Sequence, residues 1–148
     1  MIYGLDTTFL VEVEVREAAG HHEARRWFRQ VVGQQARLAL TPQVLTEFVH
    51  VVTDPARFAR PLDVKAAIAR AQAWWTAPEV RQVYANEAAV RLFHGWMRQY
   101  RLGRKRILDT MLAATYFADG VTAIVTTNAR DYRVYGVLAV HSPGGNPS

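Results

Sequence analysis

The chain has 148 residues, half of them hydrophobic and 21% charged, a globular composition large enough to bury one core. No apolar run approaches the roughly 20 residues that span a bilayer, no basic segment leads into a signal-like stretch, and cysteine is absent, which excludes disulfides and thiolate metal sites and makes a cytoplasmic protein the expectation. The net charge of +5 suits a polyanionic partner such as nucleic acid, although every basic residue except Lys65 and Lys105 is Arg, as a GC-rich genome alone would produce.

Residues 2–5 form a short apolar run ending at Asp6, Thr7 and Thr8, the pattern of a buried strand passing into a helix start. Residues 11–15 alternate Val and Glu as a strand would, but a charged stretch directly after a buried strand more often opens a crossover, so a helix is expected there. An Arg-rich helix follows over 21–32, with Trp27, Phe28 and Val31 inward and Arg25 and Arg26 either meeting a partner or facing solvent. Residues 37–40 read as a second strand. Thr41 then Pro42 marks a helix start that runs to about Thr53, where Asp54-Pro55 breaks it. A loop through Arg60-Pro61 leads to a helix over 63–75, a third strand over 80–84, and a helix capped by Asn86 that reaches about Tyr100.

Residues 103–106 form a basic turn, and Asp109 opens a helix that stops at Asp119-Gly120. Strands are expected over 121–125 and 137–140. The stretch 142–148, rich in Pro, Gly and Asn, is expected to be a disordered tail to a single domain over 1–141. Short apolar strands alternating with helices imply an α/β fold with a parallel sheet covered on both faces, and ligands gather beyond the carboxyl ends of such strands.

Three acids stand where a solvated charge is not expected. Asp6 closes the first strand. Glu47 shares a helix stripe with Val44, Phe48 and Val51, and Asp109 shares one with Leu112, Ala113 and Tyr116. An inward carboxylate without a partner is costly, and a bound cation would satisfy all three together. Asp131 follows the 121–125 strand and falls near another strand end. With no cysteine and with scattered histidines, the donor set is oxygen-rich, which suits Mg²⁺ or Mn²⁺ better than zinc. Each acid also has a structural role open to it: Asp6 and Asp109 as helix caps, Glu47 paired with a buried Arg, Asp131 as a turn residue.

Four segments carry a resemblance: Leu5-Asp6-Thr7-Thr8-Phe9-Leu10, Thr41-Pro42-Gln43-Val44-Leu45-Thr46-Glu47-Phe48, Ile107-Leu108-Asp109-Thr110-Met111-Leu112-Ala113-Ala114, and Thr126-Thr127-Asn128-Ala129-Arg130-Asp131-Tyr132. In this order and spacing the chain resembles the PIN-domain family, and within it the VapC-type ribonuclease toxins of bacterial toxin–antitoxin pairs. The segment from Val51 through Leu62 also looks like a loop that one VapC-like subgroup carries. The resemblance implies a three-layer α/β/α fold with a central, mostly parallel sheet, and an acidic metal site formed by Asp6, Glu47 and Asp109. Many relatives place two acids in the fourth segment, and here the first of those positions is Ala129. Asp131 is therefore open to direct, water-bridged or no metal contact, with Asn128 beside it, while Thr7 or Thr8 resembles the small polar residue that orients the first acid.

The resemblance further implies an Mg²⁺- or Mn²⁺-dependent endoribonuclease that hydrolyses RNA with a metal-activated water, a small cognate antitoxin as partner, and a homodimer. Arg104, Lys105 and Arg106, and secondarily Arg130, are the candidate RNA phosphate contacts, with a solvated loop as the alternative. Trp27, Trp74, Trp75 and Trp96 fit packing better than base stacking, and His50 beside Glu47 supplies only one of the two Glu-x-x-His pairs a di-iron site needs. A haloacid-dehalogenase site would require an acid where Thr8 stands, and a receiver domain a late Lys. A PIN-like binding module without catalysis is the main alternative. A nuclease acting on DNA flaps is a lesser one.

Overall fold

The first apolar run forms β1 (Ile2–Leu5) at the centre of a five-stranded sheet in the computed structural model, which describes residues 1–144. Strands β2 (Arg37–Leu40) and β3 (Val80–Gln82) extend the sheet on one side, β4 (Ala123–Val125) and β5 (Ala139–His141) on the other. The order is β3-β2-β1-β4-β5 and every pair is parallel. Parallel neighbours require crossovers, and helices supply them. Helices α1 (Thr7–Glu14) and α2 (His21–Gly33) join β1 to β2, and α3 (Pro42–Val52) and α4 (Val64–Trp75) join β2 to β3. Helices α5 (Glu87–Gln99) and α6 (Ile107–Ala118) join β3 to β4, and the short α7 (Ala129–Arg133) joins β4 to β5. This is the expected α/β/α architecture.

Local chemistry sets most of the boundaries. The side chains of Thr41, Asp63 and Asn86 accept from the backbone N–H of Val44, Ala66 and Ala89, which gives α3, α4 and α5 their starts. Leu5, Leu38, Leu40, Ile124 and Val125 are fully buried, as a sheet covered on both faces demands. The Val–Glu alternation lies in α1, which begins at Thr7 and ends at Glu14 with Val15 as its C-cap; Val11 and Val13 are buried, and the helix packs against α2 and α3. The strand expected over 121–125 is shorter because the N–H of Val121 bonds Tyr116 O at 2.9 Å, closing α6 around Gly120 at φ +82°. Helix α7 was not foreseen.

The basic turn is a 3-10 turn over Arg104–Arg106, so α6 starts at Ile107 and Asp109 is its third residue rather than its first. Trp74 and Trp96 are buried and Trp27 and Trp75 pack against the core, in keeping with the packing role. His50 is exposed. A turn at 143–144 follows β5, and the rest of the expected tail, 145–148, lies outside the described residues. Among the described residues, no helix is long and apolar enough to cross a membrane.

Candidate active site

From β1 the strand order runs one way through β2 and β3 and the other way through β4 and β5, so the crevice between the ends of β1 and β4 is the topological switch point. Asp6 leaves β1 there and Thr126 leaves β4. Their side chains meet, with Thr126 Oγ1 donating to Asp6 Oδ2 at 2.5 Å. Thr8 Oγ1 donates to the same oxygen at 3.2 Å, and the backbone N–H of Thr7 donates to Oδ1 at 2.8 Å. Asp6 therefore does cap α1, while its second oxygen faces the crevice hydroxyls. Only 4% of the residue is exposed. Burial pushes its carboxyl up, and the hydrogen bonds from Thr126, Thr7, Tyr132 and Thr8 offset this only in part.

Glu47 reaches the same place from α3. Thr7 Oγ1 donates to Glu47 Oε2 at 2.9 Å, so Thr7 serves Asp6 with its backbone and Glu47 with its side chain. Gln43 Nε2, one helical turn earlier, donates to Glu47 Oε1 at 3.3 Å and to Leu108 O at 3.0 Å, tying α3 to the first turn of α6. These contacts, not a buried arginine, hold the half-buried Glu47.

Asp109 accepts from the Tyr132 hydroxyl at 3.2 Å. It does not cap α6, whose N-cap is Arg106. Its carboxyl is pushed up to about 6 by burial, by the charge of Asp6 and by that of Asp131, while Tyr132 and Arg106 pull it down. Asp131 sits in the first turn of α7, with Arg106 Nη1 at 3.9 Å from Oδ1 and Arg106 Nη2 donating to its carbonyl. Arg106 is thus turned inward, whereas Arg104, Lys105 and Arg130 are exposed. The Asn128 side chain is exposed, and its link to the site is a backbone N–H donated to Thr126 Oγ1 at 2.9 Å. The N–H of Thr127 likewise donates to Thr8 Oγ1 at 3.2 Å.

Three of the acids are therefore joined through shared donors: Thr7 links Glu47 to Asp6 through its hydroxyl and its backbone N–H, and Tyr132 links Asp6 to Asp109, while the charge of Asp131 also bears on Asp109. As they lie, no three His, Asp or Glu side chains among the described residues form a group that could hold a metal ion. The chemistry of the donor set nevertheless fits a hard divalent cation. It is all oxygen and partly buried, and burial raises the affinity of Asp6 and Asp109 for protons, with the charges of Asp6 and Asp131 adding to the effect at Asp109.

Three contributors were not foreseen: Tyr132, Thr126 and Gln43. Thr126 carried the signal used for Asp6, a polar residue closing a buried strand, and Gln43 lies four residues before Glu47 on one stripe. Nothing local marks Tyr132, which is fully buried and whose hydroxyl is shared by Asp6 and Asp109. A donor to a carboxylate favours its charged form, so Tyr132→Phe is expected to move the Asp109 titration above about 6. Divalent-ion affinity should fall by about 10–100-fold, the usual effect of losing a group that orients a ligand. Carboxyl ¹³C titration checks the first point, and an unmoved curve would show that the phenol does not hold this pair.

The fold and the acid cluster together define an α/β protein with a partly buried acidic cluster at the switch point of a parallel sheet. The chain belongs to the PIN-domain family, whose model matches residues 3–137. A comparison with curated protein sequences gave no match. Among solved structures the chain is similar to VapBC-1 from nontypeable Haemophilus influenzae, with a TM-score of 0.67 and 17% identity over 96% of this chain and 98% of that one. It is similar as well to VapBC2 from Rickettsia felis bound to a DNA fragment from the promoter, with a TM-score of 0.69 and 15% identity over 97% and 99% of the two chains. A third is VapC20 from Mycobacterium tuberculosis, a sarcin-ricin-loop-cleaving toxin, with a TM-score of 0.58 and 18% identity over 84% and 87%. At these identities the likeness is one of fold.

Proposed function

We propose that this PIN-domain protein is a divalent-metal-dependent endoribonuclease and the toxin of a bacterial toxin–antitoxin pair. One observation carries the reading: Asp6, Glu47 and Asp109, from three different elements, are joined at the switch point, where Asp6 is buried, Asp109 is partly buried and the charge of Asp6 bears on Asp109, a conflict that a cation would relieve. Asp6, Glu47, Asp109 and Asp131 would hold Mg²⁺ or Mn²⁺. Such an ion, when bound, acidifies a coordinated water and offsets charge on a scissile phosphate.

The chain's own residues supply the rest. Thr126 and Thr8 orient Asp6, Thr7 and Gln43 orient Glu47, and Tyr132 holds Asp109 against Asp6. Asn128 supports the Thr126 hydroxyl through its backbone. Arg106 balances Asp131, and Arg104, Lys105 and Arg130 take the flanking phosphates of a cytoplasmic RNA. A small antitoxin and a homodimer are the assemblies proposed. The support for the antitoxin is that two of the similar structures are VapBC complexes.

A non-catalytic binding module has one observation in its favour, the absence of a ready-made metal-holding group among the described residues. Incubation with total cellular RNA separates the two. Discrete cuts that need Mg²⁺ or Mn²⁺, stop with chelator and vanish in Asp6→Asn are expected. Intact RNA under all these conditions, with the protein folded, would favour the binding module.

A further inference from the structure

At the end of α1 remote from Asp6, a cavity of about 340 Å³ opens between α1 and α2, lined by Glu14, Arg16, His21, His22, Arg25 and Arg29. Five of these six side chains are basic. The sixth, Glu14, is already engaged: Arg70 donates to it through Nε at 3.0 Å and Nη2 at 2.7 Å, and Trp74 Nε1 donates at 2.7 Å. Arg70 brings its own positive charge from α4, so Glu14 leaves the cavity's cations uncompensated. Arg25 donates through Nη1 to Val13 O at 3.3 Å, and the His21 ring contacts Glu12 O through Nδ1 at 2.8 Å, which leaves Nε2 available. Arg16 and Arg29 are exposed and make no hydrogen bond or ion pair among the described residues.

Like charges gathered round a cavity repel one another, and an anion turns that repulsion into attraction. Arg25 and Arg29 are four residues apart on one face of α2 and both line the cavity, with the imidazoles one turn earlier. Planar forks of N–H donors match the oxygens of a phosphate two at a time. A single carboxylate offers one charge and two oxygens to three arginines; a phosphate chain offers several of each. We propose that this pocket is a binding site for a phosphate-bearing anion.

The site is separate from the acidic crevice. The 8 residues of α1 place the two about 12 Å apart, and the proposal does not depend on the nuclease reading. Two sources supply the same chemistry, an RNA backbone that continues beyond the crevice and a free oligophosphate.

The test titrates the full metal-free chain with sodium tripolyphosphate at fixed ionic strength, by calorimetry and by melting temperature. Arg16→Ala/Arg29→Ala, a change at two exposed positions that spares the core, is expected to weaken binding at least about tenfold, as loss of charged hydrogen bonds does. Arg16→Lys/Arg29→Lys should retain part of it. No binding by the wild-type chain, or equal binding by the alanine variant, overturns the proposal. An acidic Glu-rich peptide that binds this pocket more tightly than tripolyphosphate, and loses that binding in the alanine variant, also overturns it in favour of a protein partner. A non-cleavable RNA oligonucleotide in chelator distinguishes the sources. A salt slope lower by about 1.4 in the alanine variant, two contacts' worth on a single strand, identifies the RNA backbone. An unchanged slope with tripolyphosphate binding intact in the wild type identifies a free oligophosphate.

Discussion

Asp109→Asn is expected to abolish RNA cleavage and, in the absence of metal, to raise the melting temperature. The two effects have one cause. The carboxyl of Asp109 is pushed up to about 6 because it is partly buried beside the charges of Asp6 and Asp131. An amide of the same shape removes the charge that suffers from this environment, and under the proposed function it would remove a ligand oxygen as well. The loss of activity should exceed the roughly 10–100-fold that follows when only an orienting neighbour is lost. For a chain of this size each kcal/mol recovered raises the melting temperature by about 2–4 °C.

The pH dependence follows with a definite sign. A carboxyl with a pKa near 6 when folded and about 3.9 when unfolded binds more protons in the folded state between those values. Stability of the metal-free protein therefore rises as pH falls from about 7 towards 4, opposite to the usual behaviour of paired carboxylates. The raised pKa of Asp6 acts in the same direction. In Asp109→Asn the slope should flatten. Thermal melts across this range, with and without Mn²⁺, are the measurement. A variant less stable than the wild type in the absence of metal would remove the argument that the acid cluster is strained.

Gly4→Ala is expected to lower the melting temperature, although adding a methyl group to a strand glycine ordinarily helps. Gly4 lies in β1 between Ala39 of β2 and Ile124 of β4, and the fully buried ring of Tyr116 packs directly on it. A Cβ at this position would stand 2.7–2.9 Å from three ring carbons. The ring has little freedom to retreat, because its hydroxyl donates to Leu5 O at 2.6 Å and to Ala39 O at 3.1 Å. Overpacking of this kind costs about 1–3 kcal/mol, against a gain of about 0.4–1 kcal/mol from reduced freedom of the unfolded chain. The net sign is destabilising. Leu5 immediately precedes Asp6, so the displacement also reaches the site, and reduced divalent-ion affinity should accompany the lower melting temperature. A variant as stable as the wild type would show that Tyr116 can move, and that α6 is not pinned to the strand ends through it.

Much of this protein is determined by short-range features of the sequence. Thr41-Pro42, Asp63 and Asn86 start their helices through bonds to backbone groups within three residues, and no distant contact is needed to find them. The positions of Asp6, Glu47 and Asp109 were legible because a charge that closes a buried strand or sits on an apolar helix stripe conflicts with its surroundings. What only the tertiary structure decided is which groups face one another. Thr126 meets Asp6 across 120 positions, Thr7 meets Glu47 across 40, and Tyr132 meets Asp109 across 23. The inward turn of Arg106 to Asp131 belongs with these, since the three basic residues before α6 look alike in sequence. Periodicity reports the face on which a side chain lies. Its partner depends on the order and register in which distant strands assemble, and that information exists only in the folded chain.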